Sequence, residues 1–128
     1  MTSGPGRFSE IAYFLLRLFS GALFACHGAQ KLFGAFGGPA MTGKPLMVAA
    51  SIIEFFGGLL IAAGLLTRIA AFLAAGEMAV AYFMVHAPQG FWPILNKGES
   101  AVLFCFVFLF ICTRGGGPYS LEGLRRRA

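Results

Sequence analysis

Cys26-His27-Gly28-Ala29-Gln30-Lys31 closes a long apolar run, Phe8 to Ala25, with an imidazole, a carboxamide and an ammonium within five residues. The run itself carries Arg17, a group that a lipid-facing helix tolerates poorly. With Arg17 at zero and about 100° per residue, Ser20, Phe24, His27 and Lys31 fall at roughly −60°, −20°, −80° and −40°. The polar groups of this first helix therefore share one narrow stripe. In a bilayer, such a stripe must face protein or water.

Composition agrees with a membrane setting. The chain has 128 residues, enough for one domain, of which 58% are hydrophobic and 12% charged, with no Asp. Soluble domains carry about 25% charged residues, so a membrane protein is expected rather than a soluble fold with a large core. The net charge of +5 does not imply nucleic acid. Three of the ten bases are Arg125, Arg126 and Arg127, and most others stand at the ends of apolar runs, where they set membrane orientation. Three Cys without a C-x-x-C spacing indicate neither a disulfide framework nor a metal site. A cleaved signal is not expected, because Arg17 interrupts the would-be apolar region and no A-x-A site follows.

Outward from the opening stretch, four apolar segments predict an all-α, antiparallel bundle of four transmembrane helices at about 8–33, 46–66, 69–86 and 97–113. Residues 1–7 read as a flexible leader, 8–113 as the transmembrane domain and 114–128 as a basic tail on the cytoplasmic side. The Gly/Pro-rich stretch Gly34 to Lys44 joins the first pair, Thr67-Arg68 turns between the second and third, and Pro88 to Gly98 carries an interfacial Phe91-Trp92-Pro93. The fourth run, Ala101 to Cys112, spans only if Lys97 to Ser100 and Thr113 extend it. Arg7, Arg68, Arg114 and Arg125 to Arg127 fall on one side, against Lys31, Lys44 and Lys97 on the other. That asymmetry predicts a bacterial-type inner membrane protein with both termini in the cytoplasm.

The residues so placed resemble the DoxX family of small four-helix membrane proteins over nearly the whole chain after the leader. Leu16-Arg17-Leu18 and His27-Gly28-Ala29-Gln30-Lys31-Leu32-Phe33-Gly34 are similar to the family's first-helix signature. Glu54 with Gly57-Gly58-Leu59-Leu60 and Gly64-Leu65-Leu66-Thr67-Arg68 resembles the second block, and Gly90-Phe91, Asn96-Lys97-Gly98-Glu99 and Gly115 to Leu121 resemble the later ones. The resemblance implies a membrane subunit of a quinone-linked oxidoreductase, of thiol- or thiosulfate-oxidising type, or a membrane scaffold for such enzymes.

Ionisable groups inside a membrane are candidate functional groups because each is costly unless paired or wetted. Counting about 1.5 Å per residue, Lys31, His86 and Glu99 lie at the outer mouth, His27 about 7 Å in, Glu54 and Glu77 roughly 12 to 15 Å in, and Arg17 roughly 20 Å in. Arg17, His27, Glu54 and Glu77 are the expected catalytic groups, in an intramembrane polar site open to the outer face. Arg17 is expected to meet Glu54 or Glu77, either as a structural pair holding three helices in register or as part of a proton and quinone site. Phe24, Gln30, Lys31, His86 and Glu99 are expected around a bound cofactor, with Lys31 and Glu99 as a rim pair and a histidine bonded to Glu54 or Glu99. Haem held by His27 and His86 is disfavoured by their difference in depth, about 6 Å.

Gly21, Gly57, Gly58 and Gly64, with Ala22 and Ala25, mark close helix contacts. Phe104, Phe106, Phe108 and Phe110 are expected to face lipid or a partner. Cys26 and Cys105 read as inert small hydrophobes. The leading functional expectation is a DoxX-type subunit supporting a redox reaction coupled to membrane quinone. No motif for flavin, nicotinamide or iron–sulfur is evident, so electrons come from a partner or a soluble molecule. The expected partners are the lipid bilayer and an oxidoreductase or redox subunit, or further copies of the chain. The rival class is a non-catalytic anchor or a passage for a small solute.

Overall fold

A computed structural model describes residues 6–37 and 43–127, the last two without their side chains. The start of the leader and the centre of the first loop, residues 38–42, lie outside the described residues. Helix α1 runs Arg7–Phe33, α2 Pro45–Ala63, α3 Thr67–Ala81, α4 Pro93–Asn96, α5 Glu99–Arg114 and α6 Leu121–Arg127. The four main helices α1, α2, α3 and α5 form the bundle, with no strand among the described residues. Counting its continuation through Gln89, α3 is one of three helices long and apolar enough to cross a membrane, with α1 and α2. The 16 residues of α5 rise about 24 Å, somewhat less than the hydrocarbon core.

Local chemistry shifts several expected boundaries. Pro45 starts α2 at its first position, where a missing N–H costs nothing. Gly64 ends it in the left-handed region at φ 76°, and the N–H groups of Gly64 and Leu65 return to the Leu60 carbonyl at 2.8 and 2.9 Å. The second helix therefore stops at Ala63 rather than Leu66, and Thr67 and Arg68 belong to the first turn of α3 instead of forming the turn. Beyond Ala81 the third helix widens into a π-helical segment, Tyr82–His86, before a short 3-10 turn, Ala87–Gln89. Lys97 takes a left-handed φ of 62°, so the fourth long helix begins at Glu99. Two short helices, α4 and α6, occupy stretches the sequence reading left as loop and tail.

The α1–α2 contact depends on having no side chain at two facing positions. A Cβ on Gly58 would stand 2.5 Å from both the Ala25 nitrogen and the Gly21 carbonyl oxygen, and one on Gly21 would stand 2.6 Å from the Ala62 nitrogen. Gly57, expected to share this role, faces open space. On the other half of the bundle, Ala70, Ala71, Ala74, Ala75 and Met78 form the buried stripe of α3 at helical spacing. They pack with Ala101, Phe108 and Ile111 of α5. Phe24 of α1 closes this core, 4.7 Å from the Phe108 ring. The four phenylalanines of α5 thus divide: Phe108 is buried and Phe104 stacks on it at 5.4 Å, while Phe106 and Phe110 face outward as expected. Leu23, Leu59, Phe72, Leu73 and Leu103 are among the large exposed side chains, an apolar exterior suited to lipid.

One end of the bundle is clamped by side chains set on helix termini. Arg17 is fully buried and its Nη1 donates to the carbonyls of Ile61 and Ala62 at 2.6 and 2.8 Å, in the last turn of α2. Its Nη2 donates to Tyr119 O at 2.6 Å, fastening the tail. Arg68 caps α5 in the same way through Cys112 O and Thr113 O, at 2.9 and 2.5 Å. The Glu122 carboxylate accepts from the Thr67 N–H and hydroxyl at the start of α3. Cations on carbonyl ends and a carboxylate on an amide end each match the helix dipole. Arg114–Glu10 at 2.6 Å and the Tyr13 hydroxyl on Gly115 O at 2.6 Å complete the clamp.

Gly58→Val should lower the thermal midpoint of the purified protein in detergent by roughly 5–10 °C, equivalent to about 1–3 kcal/mol of overpacking. Gly57→Val should leave it nearly unchanged, and equal losses in the two variants would contradict the close α1–α2 contact.

Candidate functional site: a polar-floored cavity

Away from the clamp, α1, α2, α3 and α5 surround a cavity of about 760 Å³. All its α2 residues come from the first half of that helix. Its wall is mostly hydrocarbon, and its polar groups are His27, Lys31, Glu54, Glu77, His86 and Ser100. Five of those six were singled out from sequence, and they meet in one space although they come from three separate helical segments.

The charged centre is an ion pair between α1 and α2. Lys31 Nζ donates to both Glu54 carboxylate oxygens, at 3.0 and 2.9 Å. Glu54 is 1% exposed and Lys31 26%. The register that allows this follows from Gly28, which lies directly against the Phe55 backbone. Glu77 stands beside Glu54 on α3, and its Oε1 is buried with no hydrogen-bond partner among the described residues. Two carboxyl groups thus face one ammonium. Two neighbouring carboxyl groups can share a proton.

The histidines sit differently. His27 presents its ring edge-on to Phe104, centroids 6.0 Å apart. His86, in the π-helical segment, has Nδ1 3.1 Å from the Asn96 carbonyl. A carbonyl only accepts, so Nδ1 carries the hydrogen and the neutral ring keeps Nε2 as its acceptor. Asn96 is fully buried; its amide donates to Tyr82 Oη at 3.0 Å and Gly90 O at 2.9 Å, and its oxygen accepts from Gly98 N at 2.8 Å. It ties α4 and the adjoining loop to the mouth of the cavity. The sequence placed Asn96 within a family-like block, Asn96-Lys97-Gly98-Glu99, but gave it no role of its own.

Several expectations are corrected here. Arg17 meets neither Glu54 nor Glu77: it lies in the clamp, on backbone carbonyls, with Nε unpartnered. Lys31 pairs with Glu54 rather than Glu99, which is exposed in the first turn of α5 and outside the cavity. His86 bonds a backbone carbonyl and not a carboxylate. Gln30 does not line the cavity, whereas Phe24 does. No group of three or more His, Cys, Asp or Glu converges on a metal position among the described residues.

A family model described as DoxX matches residues 12–87, more than half of the chain. The chain belongs to the DoxX family. The matched stretch of this DoxX protein holds Arg17 and all of His27, Lys31, Glu54, Glu77 and His86. Asn96 and Ser100 come from beyond it. A Haemophilus influenzae protein, described only as an uncharacterized protein, is 40% identical over 119 residues, covering 86% of this chain and 89% of its own length. No solved structure matches.

Breaking the Lys31–Glu54 pair from one side should be worse than removing both charges. Lys31→Met is expected to destabilise the DoxX fold by about 2 kcal/mol, below the range for a fully buried pair because Lys31 meets solvent. Lys31→Met combined with Glu54→Gln should recover at least about half of that loss in a denaturation cycle. Strictly additive losses would show that the two groups are not coupled.

Proposed function

We propose that this DoxX protein is an integral membrane subunit that holds a quinone headgroup in the cavity and supports a quinone-linked oxidoreductase of thiol or thiosulfate type. The observation that carries this reading is a largely apolar chamber of about 760 Å³ whose wall holds the Lys31–Glu54 pair and Glu77. Its size lies within the range of small-molecule sites, and an apolar body with a polar end fits such a lining. A bound quinone would accept two electrons and two protons, the electrons released as a partner oxidises its thiol or thiosulfate substrate.

The chain's own groups then have distinct tasks. The Lys31 ammonium donates a charge-assisted hydrogen bond and stabilises negative charge near Glu54. Glu77 holds and exchanges a proton. His27 and His86 connect this interior to the open end, His86 through its free Nε2. Arg17 takes no part in the chemistry and positions α2 and the tail. Lys31 inherits the electrostatic role expected of Arg17. The asymmetry of Arg68, Arg114 and Arg125 to Arg127 against Lys31, Lys44 and Lys97 supports placing the clamped end in the cytoplasm of a bacterial-type inner membrane.

A scaffold or anchor role is the second reading, supported by the folded tail that would present its last turns to a cytosolic partner. Organic extraction of the purified protein distinguishes the two. Wild type should carry quinone, and Glu54→Gln, Glu77→Gln and His27→Ala should each bind it about tenfold more weakly while remaining folded in the membrane. Protein free of quinone that also fails to take up added quinone would leave only the scaffold.

A further inference from the structure

A second, smaller groove of about 300 Å³ lies at the clamped end and shares no lining residue with the cavity. Phe14 of α1, Ala62 and Ala63 at the end of α2, and Tyr119, Leu121 and Leu124 of the tail form its sides. Counted from the cavity end, Arg17 stands about 24 Å along α1 and Ala63 about 27 Å along α2. The hydrocarbon core is about 30 Å thick. The groove therefore sits where acyl chains give way to headgroups.

The tail is tied to this level. The Glu122 N–H donates to Gly64 O at 3.0 Å, its carboxylate accepts from Thr67, and Tyr119 O accepts from Arg17. With Glu122 turned to the bundle, Leu121 and Leu124 line the groove and are still 46% and 56% exposed. The basic run Arg125-Arg126-Arg127 follows Leu124 directly, and α6 continues through Arg127. An apolar face beside a basic run is the pattern of a helix lying in the membrane interface.

Charge decides what such a groove receives. At this end Arg114 is paired with Glu10, Arg17 and Arg68 are spent on carbonyls, and the Glu122 carboxylate is taken by Thr67. Arg125 is exposed and in no ion pair among the described residues. A positive surplus thus stands at the rim of an apolar groove. We propose that the groove seats an acyl chain of an anionic phospholipid whose phosphate is held by the Arg125–Arg127 run. A zwitterionic lipid fits the same seat but lacks the net charge that the run attracts. A soluble protein would leave the apolar sides of the groove to lipid. The site does not depend on the quinone reading or on which leaflet faces the cytoplasm.

Native mass spectrometry of the full chain in neutral detergent tests this, with phosphatidylglycerol or phosphatidylcholine of identical chains added. Wild type should retain phosphatidylglycerol at least about tenfold more tightly than phosphatidylcholine. Arg125→Gln, Arg126→Gln and Arg127→Gln combined should bring phosphatidylglycerol down to the phosphatidylcholine level and leave the latter unchanged. Ala63→Phe, at an exposed position, fills the groove and should weaken both lipids at least about fivefold. Should Ala63→Phe fail to fold by circular dichroism, Leu124→Gln on the opposite side of the groove reads the same outcome. Lys97→Gln removes a cation at the other end of the bundle and should bind both lipids as wild type does. Equal retention of the two lipids by wild type, or undiminished phosphatidylglycerol in the triple variant, overturns the site. So does a filled groove that weakens neither lipid, or a loss in Lys97→Gln matching that of the triple variant.

Discussion

A guanidinium without a carboxylate partner holds this bundle together. Arg17 is fully buried, and its two Nη groups donate to the Ile61 and Ala62 carbonyls that end α2 and to Tyr119 O of the tail. Both carbonyls lie in the last turn of α2 and carry the negative end of its dipole, and Ile61 O also accepts the Gly64 N–H at 3.1 Å. One side chain therefore answers two needs, a buried cation seeking acceptors and a helix end seeking donors. Arg68 on the end of α5 and Glu122 on the start of α3 repeat the logic with the sign appropriate to each terminus. At the tight Gly64–Leu66 connection, three helix ends and the tail are thus locked by charge on backbone.

This arrangement shapes the other end. Near the clamp the helices are held by side chains on backbone carbonyls and by the Gly21–Gly58 contact. Towards the loops, the small residues of α2 and the exposed face of α3 leave a chamber instead. The Lys31–Glu54 pair sits at its edge with both carboxylate oxygens occupied, while Glu77 does not have that satisfaction. Asn96 plays a quieter part, since three hydrogen bonds through its side chain set the loop against which His86 is oriented.

Much of this was legible from the residues alone, and the failures are instructive. Most of the stripe on α1 pointed inward as its angular spacing required: Arg17, Ser20 and Phe24 are buried and Lys31 turns to Glu54, while His27 at the stripe's margin is exposed. His27, Lys31, Glu54, Glu77 and His86 could be named as a group because membrane depth selects against ionisable side chains without purpose. The α5 phenylalanines were half misjudged, because alternation along a helix hides which residues face a neighbour such as Phe24. The tail was unreadable, since its helix is short and its hydrogen bonds reach back to Arg17, Gly64 and Thr67.

The membrane class, the four helices and most of the polar groups that gather inside the bundle could be read from the residues in order. Hydropathy and helical period are properties of neighbouring residues, so they can be read along the chain. Packing alone settled where each base found its partner. Arg17 and Lys31 lie on the same stripe, and either could in principle have met Glu54. The choice follows from the sliding register of α1 against α2, set where Gly21, Gly28 and Gly58 let the backbones touch. A shift of one helical turn, about 5.4 Å, would have changed every partner while leaving the hydrophobic pattern intact.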